Sequence, residues 1–480
     1  MQHTKQVVDY IVSSGLDAVP AQALGVAKGA MQDCVGVALA GARQPAGAIP
    51  SEWARKAAGT GKATVWGQDF KTSPHDAALV NGTAAHALDY DDVTWGLIGH
   101  PSVSLVPAVF ALGEAIDAAG RDVLHAYVVG FEVMAKLGRT TQPRHSLDGG
   151  WHATGTIGAF GATAACCKLL ALDAERTAHA LGIVYSMTSG NVSNFGTMCK
   201  PLHAGLAARN AVEAALWAQA GFTSLPHPFD GPRGFHEVYS RGLPADMAPL
   251  AELGKVYELV VRGVVIKPYP CGVALHPAID AVHALKREHG VKADDVVSGE
   301  AGVTRYTFDK LCYLVPQTGL EAKFSMPYTI ARALLDDSIG FDTFTDRLVR
   351  EERAQALTRR ISMYVHDGIE SSWKMGSRPV NVRLKLRDGR VLEKQIDISK
   401  GNPEVALTAA ELNVKFEDCA RASLDPTAMK AASQGLQSIE TMKAIAELTR
   451  HLSGARPRPD PWPRAPQGAI VYDGIPRYTF

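Results

Sequence analysis

Cysteine is scarce in this chain: seven residues in 480, at positions 34, 166, 167, 199, 271, 312 and 419. An odd, sparse set does not make a disulfide framework and fits reduced thiols in a cytoplasm. No two of them stand in a C-x-x-C pair, and adjacent Cys166 and Cys167 do not share a helix face, which argues against structural zinc or an iron–sulfur cluster. Long apolar runs are missing too; none approaches the roughly 20 residues that a bilayer requires. The N-terminal stretch MQHTKQVVDYIVSSGLDAVPAQAL lacks the basic start and apolar centre of a secretory signal and reads as an amphipathic helix. An excess of charge of one sign is absent, with Lys+Arg and Asp+Glu at 49 each, so neither a nucleic-acid nor a membrane partner is expected. G-x-S-x-G, Walker A and G-x-G-x-x-G units are lacking, which weakens hydrolase, NTPase and dinucleotide readings.

What is present is a helix-forming chain too long for one core. Residues 21–42, 101–120, 122–138, 154–173 and 203–222 are rich in Ala, Gly and Leu and carry apolar residues at helical spacing. Asp173 is placed to cap a following helix, and Gly221 to end another. The character changes near Val265. GEAGVTRYTF (299–308) and RRISMYVHD (359–367) are richer in strand formers, and 380–398 alternates around Asp388-Gly389 as a β-hairpin does. Between them, 327–339 is helical in pattern. The expected fold is mainly α: a large all-helical domain with an inserted α+β lid domain. The boundaries read 1–265 for the first part of the helical domain, 266–404 for the lid, 405–455 for closing helices that rejoin the first part, and 456–480 for a proline-rich tail on the surface or on a partner subunit.

Charged residues gather beside small residues and prolines in LDYDDVTWGLIGHPS, GGWHATGTIGA, GTMCKPLHAGLAARN and VIKPYPCGVALHP, and YLVPQTGLEAKFSMPY adds two tyrosines and a lysine. Helical spacing would put Asp89 and Asp92 on one face with His86 a turn earlier. No second carboxylate-rich segment accompanies them, so a metal site is not expected. The paired acids could instead orient a histidine, provided His100 folds back towards them. Lys200 and Lys267 enter apolar surroundings, where an unpaired ammonium is expensive, so each needs a carboxylate, a ligand or solvent. With His100, His152 and His203 they suggest a pocket rich in cations and potential cations, suited to a small di- or tricarboxylate. Proton removal beside a carboxylate builds charge that fixed donors stabilise, and a histidine can serve as the base.

At these same segments the chain resembles the MmgE/PrpD family, through NGTAAHALDYDD, HPS, GWHATGTIGA, GTMCKPLHAGLAARN, IKPYPCGVALHP and EAKFSMPY, in that order. The resemblance implies a helical domain with an inserted α+β lid, a homodimer, and metal- and cofactor-independent lyase chemistry. The family's activities include 2-methylcitrate dehydration, cis-aconitate decarboxylation and iminodisuccinate epimerisation. Carried over by position, the resemblance makes Asp89, His100, His152, Lys200 and Tyr313 catalytic, and Thr94, Lys267, His203 and Tyr328 substrate-binding. Val93 is an extra residue between the acidic cluster and Thr94. Asp91 and Asp92 are left open to a structural role such as helix capping. The leading expectation is a 2-methylcitrate dehydratase-like lyase. The alternatives are decarboxylase- or epimerase-like activity or, in another class, a non-catalytic carboxylate-binding paralogue.

Overall fold

The computed structural model describes residues 2–57, 61–240, 245–373 and 376–454, and the proline-rich tail expected over 456–480 lies outside them. The fold is mainly α-helical with small sheets. Its largest hydrophobic core takes side chains from Val7 through Val264 and then from Phe416 through Leu452. A second core is formed between Cys271 and Leu386, so the chain leaves the first core, builds the second and returns. Among the described residues, no helix is long and apolar enough to cross a membrane.

Small residues decide how the helices of the first core meet. Ala153–Leu169 is buried through nearly its whole length, as its all-round small and apolar surface requires. Asp173 accepts the N–H of Arg176 and caps Ala174–Tyr185. The helix Cys199–Gln219 lies against Pro74–His86 where two glycines face each other. A Cβ on Gly205 would stand 2.1 Å from Thr83 Oγ1, and one on Gly82 would stand 3.0 Å from the Gly205 Cα. That close approach carries Lys200, the second residue of its helix, over the end of Pro74–His86.

The second core is packed on a four-stranded sheet in the order Ile361–Val365, Val296–Val303, Val380–Leu386, Val391–Ile396. The first pair is parallel and the other two are antiparallel. The hairpin turns where its alternation breaks, with Gly389 at φ 89°. The strand expected to continue to residue 308 stops at Val303. Thr304 accepts the N–H of Thr307 and starts the short helix Arg305–Lys310, so a capping side chain overrides the strand-forming composition. This swings Tyr306 and Lys310 towards the helical core.

Candidate active site

The helix Pro74–His86 ends two residues short of the acidic cluster, so Asp89 and Asp92 do not share a helical face. Asp89 instead adopts a left-handed backbone conformation, φ 52°, which an aspartate tolerates better than most residues. Lys267 fixes it there, donating both to the Asp89 carbonyl oxygen (2.8 Å) and to its Oδ1 (2.5 Å). Lys200 donates to the other carboxylate oxygen at 2.9 Å. The additional residue Val93 pairs through its backbone with Val265, which ties this loop to the segment carrying Lys267.

Asp91 and Asp92 divide two tasks. Asp92 receives the N–H (3.2 Å) and hydroxyl (2.5 Å) of Ser102, the first residue of the helix Ser102–Ala115, and anchors that helix start. Asp91 lies between two imidazoles. His86 Nδ1 is 2.9 and 3.0 Å from its two oxygens, and His100 Nδ1 is 2.8 Å from Oδ2. A carboxylate accepts, so the His86 ring carries its proton on Nδ1 and presents Nε2 as the basic nitrogen, while His100 Nδ1 lies close to the Asp91 charge but outside hydrogen-bond geometry. His86 spends that lone pair on Lys200 at 3.0 Å, whereas His100 Nε2 is 3.9 Å from Asp89 Oδ1. His100 has thus folded back towards the acids.

Asp89, His100, His152 and Lys200 line one pocket, with Phe195 and Phe324 in its walls. Both rings lie under the Lys200 ammonium, at 5.3 and 5.5 Å. His152 sits at the start of Ala153–Leu169, its Nδ1 3.0 Å from His203 Nδ1. Burial by itself would raise both carboxyls, yet Lys200 and Lys267 hold Asp89 well below the usual range, and His100 and His86 do the same for Asp91. Burial lowers the imidazoles: His86 to about 3, His203 to about 4, His100 below its ordinary value and His152 far below it. Burial also lowers Lys200, opposed by Asp89, while Asp89 more than offsets burial at Lys267 and raises it. At neutral pH the site therefore sets two carboxylates against two ammoniums, with neutral imidazoles between them.

The other residues singled out from the sequence stand at different distances from this pocket. Lys267 and His203 are in the layer behind it, against Asp89 and His152. Tyr313 donates to the Phe195 carbonyl oxygen at 3.0 Å, which places its hydroxyl on a wall segment. Thr94 turns its hydroxyl to the Gly263 carbonyl oxygen (3.3 Å) and does not line the pocket; Val93 and Trp95 do. Tyr328 is fully buried in the second core and donates to Thr343 O. From the sequence, His86 and Asp91 have no site role beyond proximity and possible capping, although the DYDD segment and the histidine preceding it carry the signal. Their ligand-type atoms, with those of His100, lie within 4.8 Å of one another and form a set able to hold a metal ion. The Lys200 ammonium, 3.0 Å from His86 Nε2, disfavours a second cation there.

Comparison with known proteins finds the MmgE/PrpD N-terminal domain over residues 5–248 and the MmgE/PrpD C-terminal domain over 269–440. The chain is 27% identical over 426 residues to a cis-aconitate decarboxylase of Mus musculus, covering 87% of this chain and 86% of that one. It is 26% identical over 441 residues to the cis-aconitate decarboxylase of Homo sapiens, covering 88% and 89%. A cis-aconitate decarboxylase of Aspergillus terreus (strain NIH 2624 / FGSC A1156) is 24% identical over 477 residues, covering 94% and 96%.

Proposed function

The chain belongs to the MmgE/PrpD family, and on that premise we propose that it is a carboxy-lyase acting on a small unsaturated tricarboxylate, as a cis-aconitate decarboxylase does. The relatives favour this reading over 2-methylcitrate dehydration, the leading expectation from the sequence. The observation that carries it is the meeting of Asp89, His100, His152 and Lys200 on one pocket, brought together from three separate segments of the chain.

Loss of CO₂ from a carboxylate one carbon away from an alkene breaks the C–C bond and leaves its electron pair on an allylic system. A second carboxylate conjugated with that system takes up the charge, and a proton must then reach the far carbon. The Lys200 ammonium, held by Asp89, is a fixed cation for the developing charge. His100 supplies the proton from Nε2, with the Asp91 carboxylate beside Nδ1 stabilising the imidazolium. The neutral imidazoles of the pocket do not conflict with that role. A polyanion placed beside them favours their charged form, so binding itself charges the acid.

Proton NMR in D₂O with cis-aconitate, 2-methylcitrate and a small dicarboxylate, in the presence of chelator, tests this reading. CO₂ loss from cis-aconitate with one deuterium incorporated is the expected result. His100→Ala and Lys200→Ala should each lower kcat by about 10²–10⁴-fold with the fold intact. Dehydration of 2-methylcitrate or deuterium exchange alone would replace the reaction but keep the pocket. Binding without turnover would make the protein a carboxylate binder. Loss of turnover on chelation would assign a metal to the set His86, Asp91 and His100.

A further inference from the structure

Two more cations reach the same pocket from the second core, and they lack counter-ions. Arg378 is 4% exposed and lines the pocket wall. Its guanidinium lies over three rings, at 4.3 Å from Tyr306, 4.6 Å from Trp95 and 5.6 Å from Trp373. One of its nitrogens donates to the Ser377 carbonyl oxygen at 2.7 Å. Lys310, one turn after Tyr306, lines the same wall and donates to the Ser146 carbonyl oxygen at 3.3 Å. Among the described residues, no carboxylate is paired with either group. The acid acting on Lys310 is its exposed neighbour Asp309, and Arg378 repels it.

A desolvated guanidinium needs a partner, and ring faces supply only part of one. Asp89 is already engaged by both Lys200 and Lys267, and Asp91 by His86 and His100, so neither acid is left for Arg378 and Lys310. The stacked rings keep the guanidinium plane fixed, and an Arg fork so held suits the two oxygens of a carboxylate. We propose that Arg378 and Lys310 form a subsite for a carboxylate of the substrate remote from the bond that breaks, and so select tricarboxylates over dicarboxylates. This assignment rests on the reading of the pocket as a polycarboxylate site. Asp89, His100, His152 and Lys200 handle the reacting end. Arg378 and Lys310, across the seam between the two cores, hold the other.

The test measures binding of tricarballylate and glutarate, which differ by one carboxylate, and turnover of cis-aconitate, for the full-length protein and its Arg378→Gln, Arg378→Lys and Lys310→Gln variants. Arg378→Gln should lower the tricarballylate-to-glutarate affinity ratio by about 10- to 100-fold, and should raise KM for cis-aconitate by a similar factor with kcat changed far less. Arg378→Lys should recover part of the ratio, and Lys310→Gln should lower it by a smaller factor. An unchanged ratio in both Gln variants would overturn the subsite, even if cis-aconitate is decarboxylated normally. A ratio that falls as expected in a protein inert towards cis-aconitate would keep the subsite and overturn the decarboxylase reading instead.

Discussion

Asp91 is the residue on which two imidazoles depend at once, since His86 and His100 both turn Nδ1 towards it. Replacing it with asparagine removes the charge that opposes burial at His100, so the His100 pKa should fall further. In Asp91→Asn the alkaline limb of the kcat/KM–pH profile, where the His100 acid loses its proton, should therefore move to lower pH, and kcat should drop by about 10²–10⁴-fold because the carboxylate facing the imidazolium is gone. An unmoved limb would separate Asp91 from the proton chemistry. The sequence marks single residues at this scale well but their pairings poorly. Lys200 and Lys267 are recognisable as ammoniums that need partners in apolar segments, yet Lys200 meets Asp89 across 111 residues and Lys267 across 178. Arg378 stands in the ordinary stretch SRPVNV, and only folding surrounds it with three rings.

The helices and the hairpin could be read because their signals are local: small-residue helical spacing over 154–173, an aspartate cap at 173, and alternation broken by Asp388-Gly389. The DYDD loop could not, because its shape is imposed by distant elements. One of these is the helix Ala409–Ala420, whose Lys415 pairs with Asp33 at 2.5 Å, donates to the Tyr90 carbonyl oxygen at 2.8 Å and lies 3.8 Å over the Tyr90 ring. Burial raises the Asp33 carboxyl and Lys415 opposes that rise, so each group depends on the other. Lys415→Met should cost about 3–5 kcal/mol in denaturant unfolding, since it strands a buried acid. Lys415→Met with Asp33→Asn should restore most of that stability, while kcat stays low because the loop is no longer held. Recovery of kcat along with stability would deny the helix any positioning role.

Across the whole molecule, buried neutral histidines set the response to acid. His145 is held at about 3 by burial, with Nε2 2.7 Å from Thr156 Oγ1; His276 is held at about 3 and His236 at about 4. A folded pKa below the unfolded value of about 6.5 means stability that is complete above that pH and is lost as pH falls towards the folded value. The protein should therefore weaken steadily below pH 6.5. His145→Gln should be less stable than the parent at pH 7 from lost packing, yet lose roughly 1–2 kcal/mol less between pH 7 and pH 5. Parallel pH slopes from urea unfolding would show that His145 is not a source of the effect. The return of the chain to its first core has a different consequence, one of timing. That core is finished by Phe416, Leu436, Ile445 and Leu452, and Tyr90 receives its lysine from a position 325 residues later. On a ribosome, the acidic loop, Lys200 and both histidines emerge long before the helices that brace them. The nascent chain therefore carries its largest core open until the helices from Ala409 onward are made, the stage at which exposed apolar surface invites chaperones.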